Sequence, residues 1–336
     1  MRRPILFLLL LILAVTVGAS LALGKYPVSL GSMAAFFEHK IFGTGLMDMH
    51  QAALLENILL DIRLPRILAA ILIGAALSTS GAAFQALFTN PLVSSKILGV
   101  LAGASFGAVC AMLFTKNWFT VQASAAAFGF IAVGLAVGIA RLYKGDSLII
   151  LVLGGIISEA LFTSLISVVK YVADPYDQLP AITYWLMGNL SLVNLKTTAI
   201  VGVPILAGTV ALMLYGKHLN ALSMGDEEAH ALGINVRLIR YGVIFFATLV
   251  STLTVVIGGM VGWIGLIIPH VARMIVGPDN IILLPASALM GAIYLLLVDD
   301  LSRLLFSFEI PIGIVTSLFG IPFFIYILKN ARKGWN

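Results

Sequence analysis

Charge is what this chain has least of. Only 10% of its 336 residues are Asp, Glu, Lys or Arg, whereas soluble domains carry about 25%. Hydrophobic residues make up 60% of the chain and the mean hydropathy is +1.08. Such a composition excludes an ordinary solvated domain and leaves room for roughly ten spans of about 20 residues joined by short connections. Cysteine is nearly missing too. Cys110 stands alone inside an apolar run, which rules out a disulfide within the chain and a cysteine metal cluster. No Gly-x-x-x-x-Gly-Lys-Ser/Thr run occurs, so the chain has no phosphate-cradling loop of its own, and neither His-Glu-x-x-His nor Gly-x-Ser-x-Gly appears. The five histidines are scattered. His39 and His50, in an acidic loop, have a generic spacing that fits solvated side chains better than metal ligands.

What the chain does have is a series of apolar stretches, near 4–24, 65–88, 97–115, 118–140, 147–169, 194–215, 238–258, 262–276, 281–298 and 311–328. They predict an all-α integral membrane protein of about ten transmembrane helices, forming a single permease-sized domain over 1–336. The start, Met1-Arg2-Arg3 before an apolar run, has the look of a secretory signal peptide but reads better as an uncleaved first span. The eighth stretch is short for a crossing, and a tilted or broken helix is expected there, which is tolerated where protein rather than lipid surrounds it.

The net charge is +5 and the pI about 9.3. In so apolar a chain the basic excess points to cytoplasmic loops and not to nucleic acid. With the N-terminus inside, twelve of the twenty Lys and Arg residues fall on cytoplasmic segments, which predicts both termini in the cytoplasm. Glycines recur at helical spacing (Gly99, Gly103 and Gly107; Gly134 and Gly138; Gly258 and Gly262), predicting tightly packed helices. Glu159 lies within the fifth span, where an ionisable group is costly and is either functional or hydrogen-bonded across helices, Ser158 and Thr163 being the near hydroxyls. A lone acid falls short of a proton pathway, so an ion-coupled secondary transporter stands only as the alternative. A membrane enzyme lacks its constellation.

Two connections are long. Residues 25–62 are expected outside. Residues 216–237, expected inside, carry Leu222, Ala229 and Leu232 on one side, with Asp226, Glu227 and Glu228 where a helix begins, as its dipole favours. Such a segment is either an interfacial helix or a docking surface.

Three stretches go beyond composition: Arg63-Leu64-Pro65-Arg66 running to Asn90-Pro91-Leu92 and Ile97-Leu98-Gly99; Leu222 to Leu232-Gly233; and Gly262-Trp263-Ile264-Gly265 through Pro269-His270 and Arg273 to Asp299, Arg303 and Ile310-Pro311-Ile312-Gly313. In this order, over nearly the whole chain, they resemble the FecCD/BtuC family, type II ABC importer permeases for iron–siderophore complexes, haem and cobalamin, with a molybdate/tungstate branch. Trp263 stands where the family usually has Phe, and the proline usual soon after Asn-Pro-Leu is absent from Val93-Ser94-Ser95-Lys96.

The resemblance implies a homodimer in a bacterial or archaeal inner membrane, paired with two cytoplasmic ATP-binding cassette subunits and one extracytoplasmic substrate-binding protein. ATP and Mg would sit on the ATPase, leaving this chain without a cofactor. It implies binding-protein docking by Arg63, Arg66 and Arg303, whose planar guanidinium groups suit bidentate pairing with carboxylates. It implies ATPase coupling through about 220–234, with Leu222, Ser223, Gly225, Asp226, Glu227, Ala229, Leu232 and Gly233. A cytoplasmic gate would comprise Asn90, Pro91 and Leu92 with Asp146 and Ser147. Pro269, His270 and Arg273 read as a kink and a helix end. The segment Lys170 to Leu190 is expected to face cargo or a docking partner. Iron–siderophore is the first cargo expected, and an oxyanion the open alternative.

Overall fold

The computed structural model describes residues 3–43, 47–143 and 148–331, apart from the side chains of Arg3 and of residues 326–331. Among the described residues every regular element is helical. The helices are α1 (Arg3–Ala22), α2 (Leu30–Phe42), α3 (Met49–Glu56), α4 (Leu64–Leu87), α5 (Val100–Phe114), α6 (Trp118–Leu142), α7 (Leu148–Val172) and α8 (Gln178–Leu186). They continue as α9 (Leu195–Leu214), α10 (Gly216–Leu222), α11 (Asp226–Ala231), α12 (Val236–Gly258), α13 (Ile264–Val276), α14 (Asn280–Leu304) and α15 (Ile312–Ala331). A π-helical turn, Asn57–Arg63, leads into α4, and a 3-10 turn, Ser95–Leu98, leads into α5.

Each of the ten predicted stretches falls on a helix. Seven helical segments among the described residues are long and apolar enough to cross a bilayer; α5, α13 and the described part of α15 are shorter. At 1.5 Å per residue, α5 and α13 reach only about 20 Å of a hydrocarbon layer of about 30 Å. A turn before α5 and a helix break before α13 continue the chain where these helices fall short. Irregular backbone in a bilayer must find its partners within the protein, and in the turn before α5 Ile97 N donates to Ser94 O (3.0 Å) and Gly99 N to Lys96 O (2.9 Å). Asn189 N donates to Gly258 O (2.9 Å), Ile312 N to Gly188 O (3.0 Å) and Gly313 N to Met187 O (3.0 Å), which ties the ends of α8, α12 and α15 together.

Helix α4 is the central post, packed against α9, α12, α13 and α14. Glycine decides how closely its neighbours approach. A Cβ on Gly81 would come within 1.9 Å of Gly265 O on α13, and one on Gly74 within 2.2 Å of Gly291 O on α14. Gly103 and Gly107 do the same for α5 against α6. Gly134, Gly138 and Gly262 are exceptions to the expected packing: a Cβ on any of them meets nothing within 4 Å, and for the first two α6 turns that face away from the bundle. The connection from α1 to α4 folds as its own small unit, with Val28, Met33, Phe36, Leu55 and Leu59 buried together.

Candidate functional site

Three constellations emerge, one at each end of the bundle and one along its depth. At the end where α4 begins, the chain gathers six charged side chains. Arg66 donates through Nε to both carboxylate oxygens of Asp299 (2.8 and 3.0 Å) and through a terminal nitrogen to Glu309 (2.9 Å). Arg303, one turn beyond Asp299 on α14, lies 3.2 Å from that carboxylate and donates to Asp300, which also accepts from Ser20 on α1. Arg63 donates to the carbonyls of Leu21 and Tyr26. The three arginines named by the resemblance are thus brought together, but they point inward, with only 4, 6 and 8% of Arg63, Arg66 and Arg303 exposed. Arg66 and Arg303 pair with three carboxylates while Arg63 caps two carbonyls beside them, and the cluster stays buried because its charges balance. Sequence reasoning missed Asp300, Glu309 and Ser20. The Asp299-Asp300 pair of acids in an apolar helix was the available signal.

At the opposite end, α10 and α11 form the segment between α9 and α12. Gly225 takes φ +127° between them, a conformation that a side chain would strain. Asp226, Glu227 and Glu228 occupy the first turn of α11 as expected, and Asp226 pairs with Arg240 of α12 (2.9 Å). Leu222 and Ala229 are buried, which anchors the segment. Leu232 differs from its predicted place on that apolar side: it caps the end of α11, beyond the buried residues of that helix, and is 64% exposed. Ser223 closes α10 through a bond to Leu219 O (2.8 Å).

Half-buried Asn220 latches α10 to the start of α14, donating to Asp279 (2.7 Å) and accepting from the backbone and side chain of Asn280 (2.8 and 2.9 Å). Asn220→Ala is expected to cost about 1–2 kcal/mol, since it leaves Asn280 donors unmet; thermal unfolding in detergent measures it, and a loss near zero means that water replaces the amide. Beside this latch a cavity is lined by Asn220, Ser223, Arg273 and Asn280 together with Asn90 and Pro91. Asn90 and Pro91 form an exposed turn in which Leu92 N donates to Asn90 Oδ1 (2.9 Å). The structure therefore brings two of the five expected gate residues beside the expected coupling segment, while Leu92 lines the deeper cavity. Asp146 and Ser147 lie outside the described residues. Pro269 is inside α13 and Arg273 in its last turn.

Along the depth of the bundle lies an open cavity of about 720 Å³. Its wall combines the turn from Leu92 to Ile97, the break at Met260–Trp263, the end of α8 at Leu186 and Met187, and α15 at Gly313–Leu318. Trp263 holds φ +70° at this break, rare for a bulky residue. Glu159 joins the wall from α7. Its partner is not a neighbouring hydroxyl: Ser158 donates to Ala132 O, while Glu159 stands 3.5 Å from Lys96. The cavity is lined by two irregular segments between helices, an arrangement suited to passing a solute and not to bond-making chemistry.

The family model of the FecCD transport family matches residues 10–330, and the chain belongs to that family. It is a multi-pass ABC importer permease, whose ATPase is a separate subunit. The molybdate import system permease MolB of Haemophilus influenzae is 37% identical over 333 residues, 99% of this chain and 97% of that protein. The probable iron chelatin transport system permease of Helicobacter pylori is 38% identical over 278 residues, 83% of this chain and 84% of that protein. Among solved structures, an inward-facing transporter assigned to the metal-chelate ABC type matches with TM-score 0.87 at 37% identity, covering 97% of this chain and 99% of that one.

Proposed function

We propose that this permease imports a metal-bearing cargo, an iron–siderophore complex first, as a homodimer in the inner membrane of a bacterium or archaeon. Both termini lie in the cytoplasm, two ATPase subunits seat below and one binding protein docks above; the chain itself binds no cofactor. The observation that carries this reading is the open cavity of about 720 Å³ between the turn before α5 and the break before α13. The likeness to a metal-chelate transporter supports the same cargo. Molybdate or tungstate is the second reading, favoured by the relative that matches along 99% of this chain; haem and cobalamin belong to the same importer class.

Docking of the binding protein uses the face above Arg63, Arg66 and Arg303. Of their partners Glu309 is the one most open to solvent, so an acid of the binding protein reaches Arg66 by replacing it. Coupling uses α10 and α11, with Leu232 and Met224 offering exposed apolar contacts to the ATPase. Leu232→Asp is expected to leave the fold intact, because the side chain is exposed, and to reduce ATPase co-purification and uptake at least about tenfold, the cost of one well-buried interface anchor. Undiminished co-purification removes Leu232 from the interface.

Uptake by proteoliposomes holding permease, ATPase and binding protein tests the cargo. Ferric siderophore, haem, cobalamin and molybdate are compared with and without ATP. Accumulation of ferric siderophore that needs ATP and the ATPase is the expected result; accumulation of molybdate alone replaces the cargo.

A further inference from the structure

Glu159 is the acid that the importer architecture leaves unexplained. Its surroundings are built with some care. Helix α7 lies directly on the turn before α5: a Cβ on Gly155 would come within 2.2 Å of Ile97 O, and one on Gly99, at φ +74°, within 3.0 Å of Glu159 N. Only glycine at both positions lets turn and helix touch backbone to backbone, and that contact carries Lys96 to Glu159 although 63 residues separate them. The pair opens on the deep cavity, and among its described lining residues these two alone are charged. The rest of the wall is aliphatic, thioether, indole or hydroxyl, so a passing solute meets one positive and one negative group per protomer.

The two groups are not equivalent. The Lys96 side chain is 66% exposed and the Glu159 side chain 28%. The ammonium, a compact charge on a flexible stem, therefore reaches into the open space, whereas the carboxylate is fixed to α7. Their separation of 3.5 Å is longer than a charge-assisted hydrogen bond of about 2.7–2.9 Å, so the lysine can leave its partner. An unpaired ammonium in so apolar a wall would capture an anion and hold it; a competing carboxylate keeps that contact transient.

Resting on the reading of this cavity as the passage, we propose that Lys96 and Glu159 are its charge-discriminating residues. Lys96 is the contact for an anionic cargo, whether an oxyanion or a metal chelate of net negative charge, and Glu159 positions the lysine and displaces the cargo from it.

The test reads charge preference without needing the natural cargo. In the complex with its ATPase, Cys110 is replaced by Ala and Ser317, on the cavity wall, by Cys. The rates of modification by an anionic methanethiosulfonate (ethylsulfonate) and a cationic one (ethyltrimethylammonium) are then compared as a ratio, which cancels differences in folding and access. Lys96→Met should lower the anionic-to-cationic ratio about threefold or more, and Glu159→Gln should raise it by a similar factor, as expected for removing one elementary charge from the wall of the same largely aqueous cavity. Opposite shifts support the proposal. A ratio unchanged by both substitutions, or moved in the same direction by both, overturns it and leaves the pair a strut between turn and helix. If the parent complex carries none of the proposed cargoes, the cargo assignment fails while the ratio still decides the role of the pair.

Discussion

Replacing Asp299 by Asn should destabilise the protein by about 3–5 kcal/mol, the range for breaking a buried ion pair by removing one partner. Asp299 is fully buried, and its two oxygens receive Arg66 and face Arg303. The asparagine keeps the shape and removes the charge, leaving two guanidinium groups to share Asp300 and Glu309. It also offers its amide N–H groups to donors that need acceptors, so hydrogen bonds are lost along with the Coulombic attraction. The contrast is the exposed pair Lys40–Glu56, both partners nearly half open to solvent, where Glu56→Gln should cost between about 0 and 1 kcal/mol. Unfolding of the purified variants in detergent gives both numbers. An Asp299→Asn loss as small as that of Glu56→Gln means that water enters the network and that the three arginines are freer to meet a partner than their burial indicates. This network joins α1, α4, α14 and the approach to α15, so its loss should also loosen the end of the bundle proposed to receive the binding protein.

Gly81→Val is the second large effect, and its cause is geometric. The added Cβ falls 1.9 Å from Gly265 O, a backbone atom that no rotamer change can move aside. Helices α4 and α13 must separate, opening a gap along their contact. Overpacking of this kind costs about 1–3 kcal/mol and occasionally more; with a branched side chain against backbone the upper end or beyond is expected. The consequence reaches the cavity, because α13 begins at the break that lines it. Gly134→Ala supplies the opposite case. Nothing lies within 4 Å of its Cβ, and exchanging glycine for alanine inside a helix favours the helix by roughly 0.5–1 kcal/mol. A destabilised Gly134→Ala would mean that this face of α6 packs against another copy or subunit. Thermal stability of both variants in detergent, with reactivity of a cysteine placed on the cavity wall, separates global from local damage.

The coupling route follows from the same packing. Helix α14 is held to α10 at one end by Asn220 and joins the charged network at the other through Asp299, Asp300 and Arg303. If the ATPase displaces α10 and α11 as proposed, the motion meets a continuous helix leading to the proposed docking face. Such a rigid element transmits a tilt without unfolding.

The sequence by itself determined what depends on short-range pattern. The scarcity of charge and the apolar stretches set the membrane class and the ten helices. The shortness of 262–276 announced the broken helix that became α13, and ordered motifs from Arg63 to Gly313 placed the chain in its family. Glycine spacing marked Gly103 and Gly107 as contacts, but it marked Gly134 and Gly138 equally, since spacing defines a helix face without saying what stands opposite. Leu232 likewise matched the apolar side of a short helix, yet at the end of α11 its side chain is exposed. Only the tertiary structure decided which distant groups meet. Arg66 finds Glu309 across 243 residues and Asp299 across 233, and Lys96 finds Glu159 because two glycines let backbone touch backbone. These pairings depend on the rotation, depth and tilt of each helix, which packing against several neighbours fixes together, and no local period in the chain encodes them.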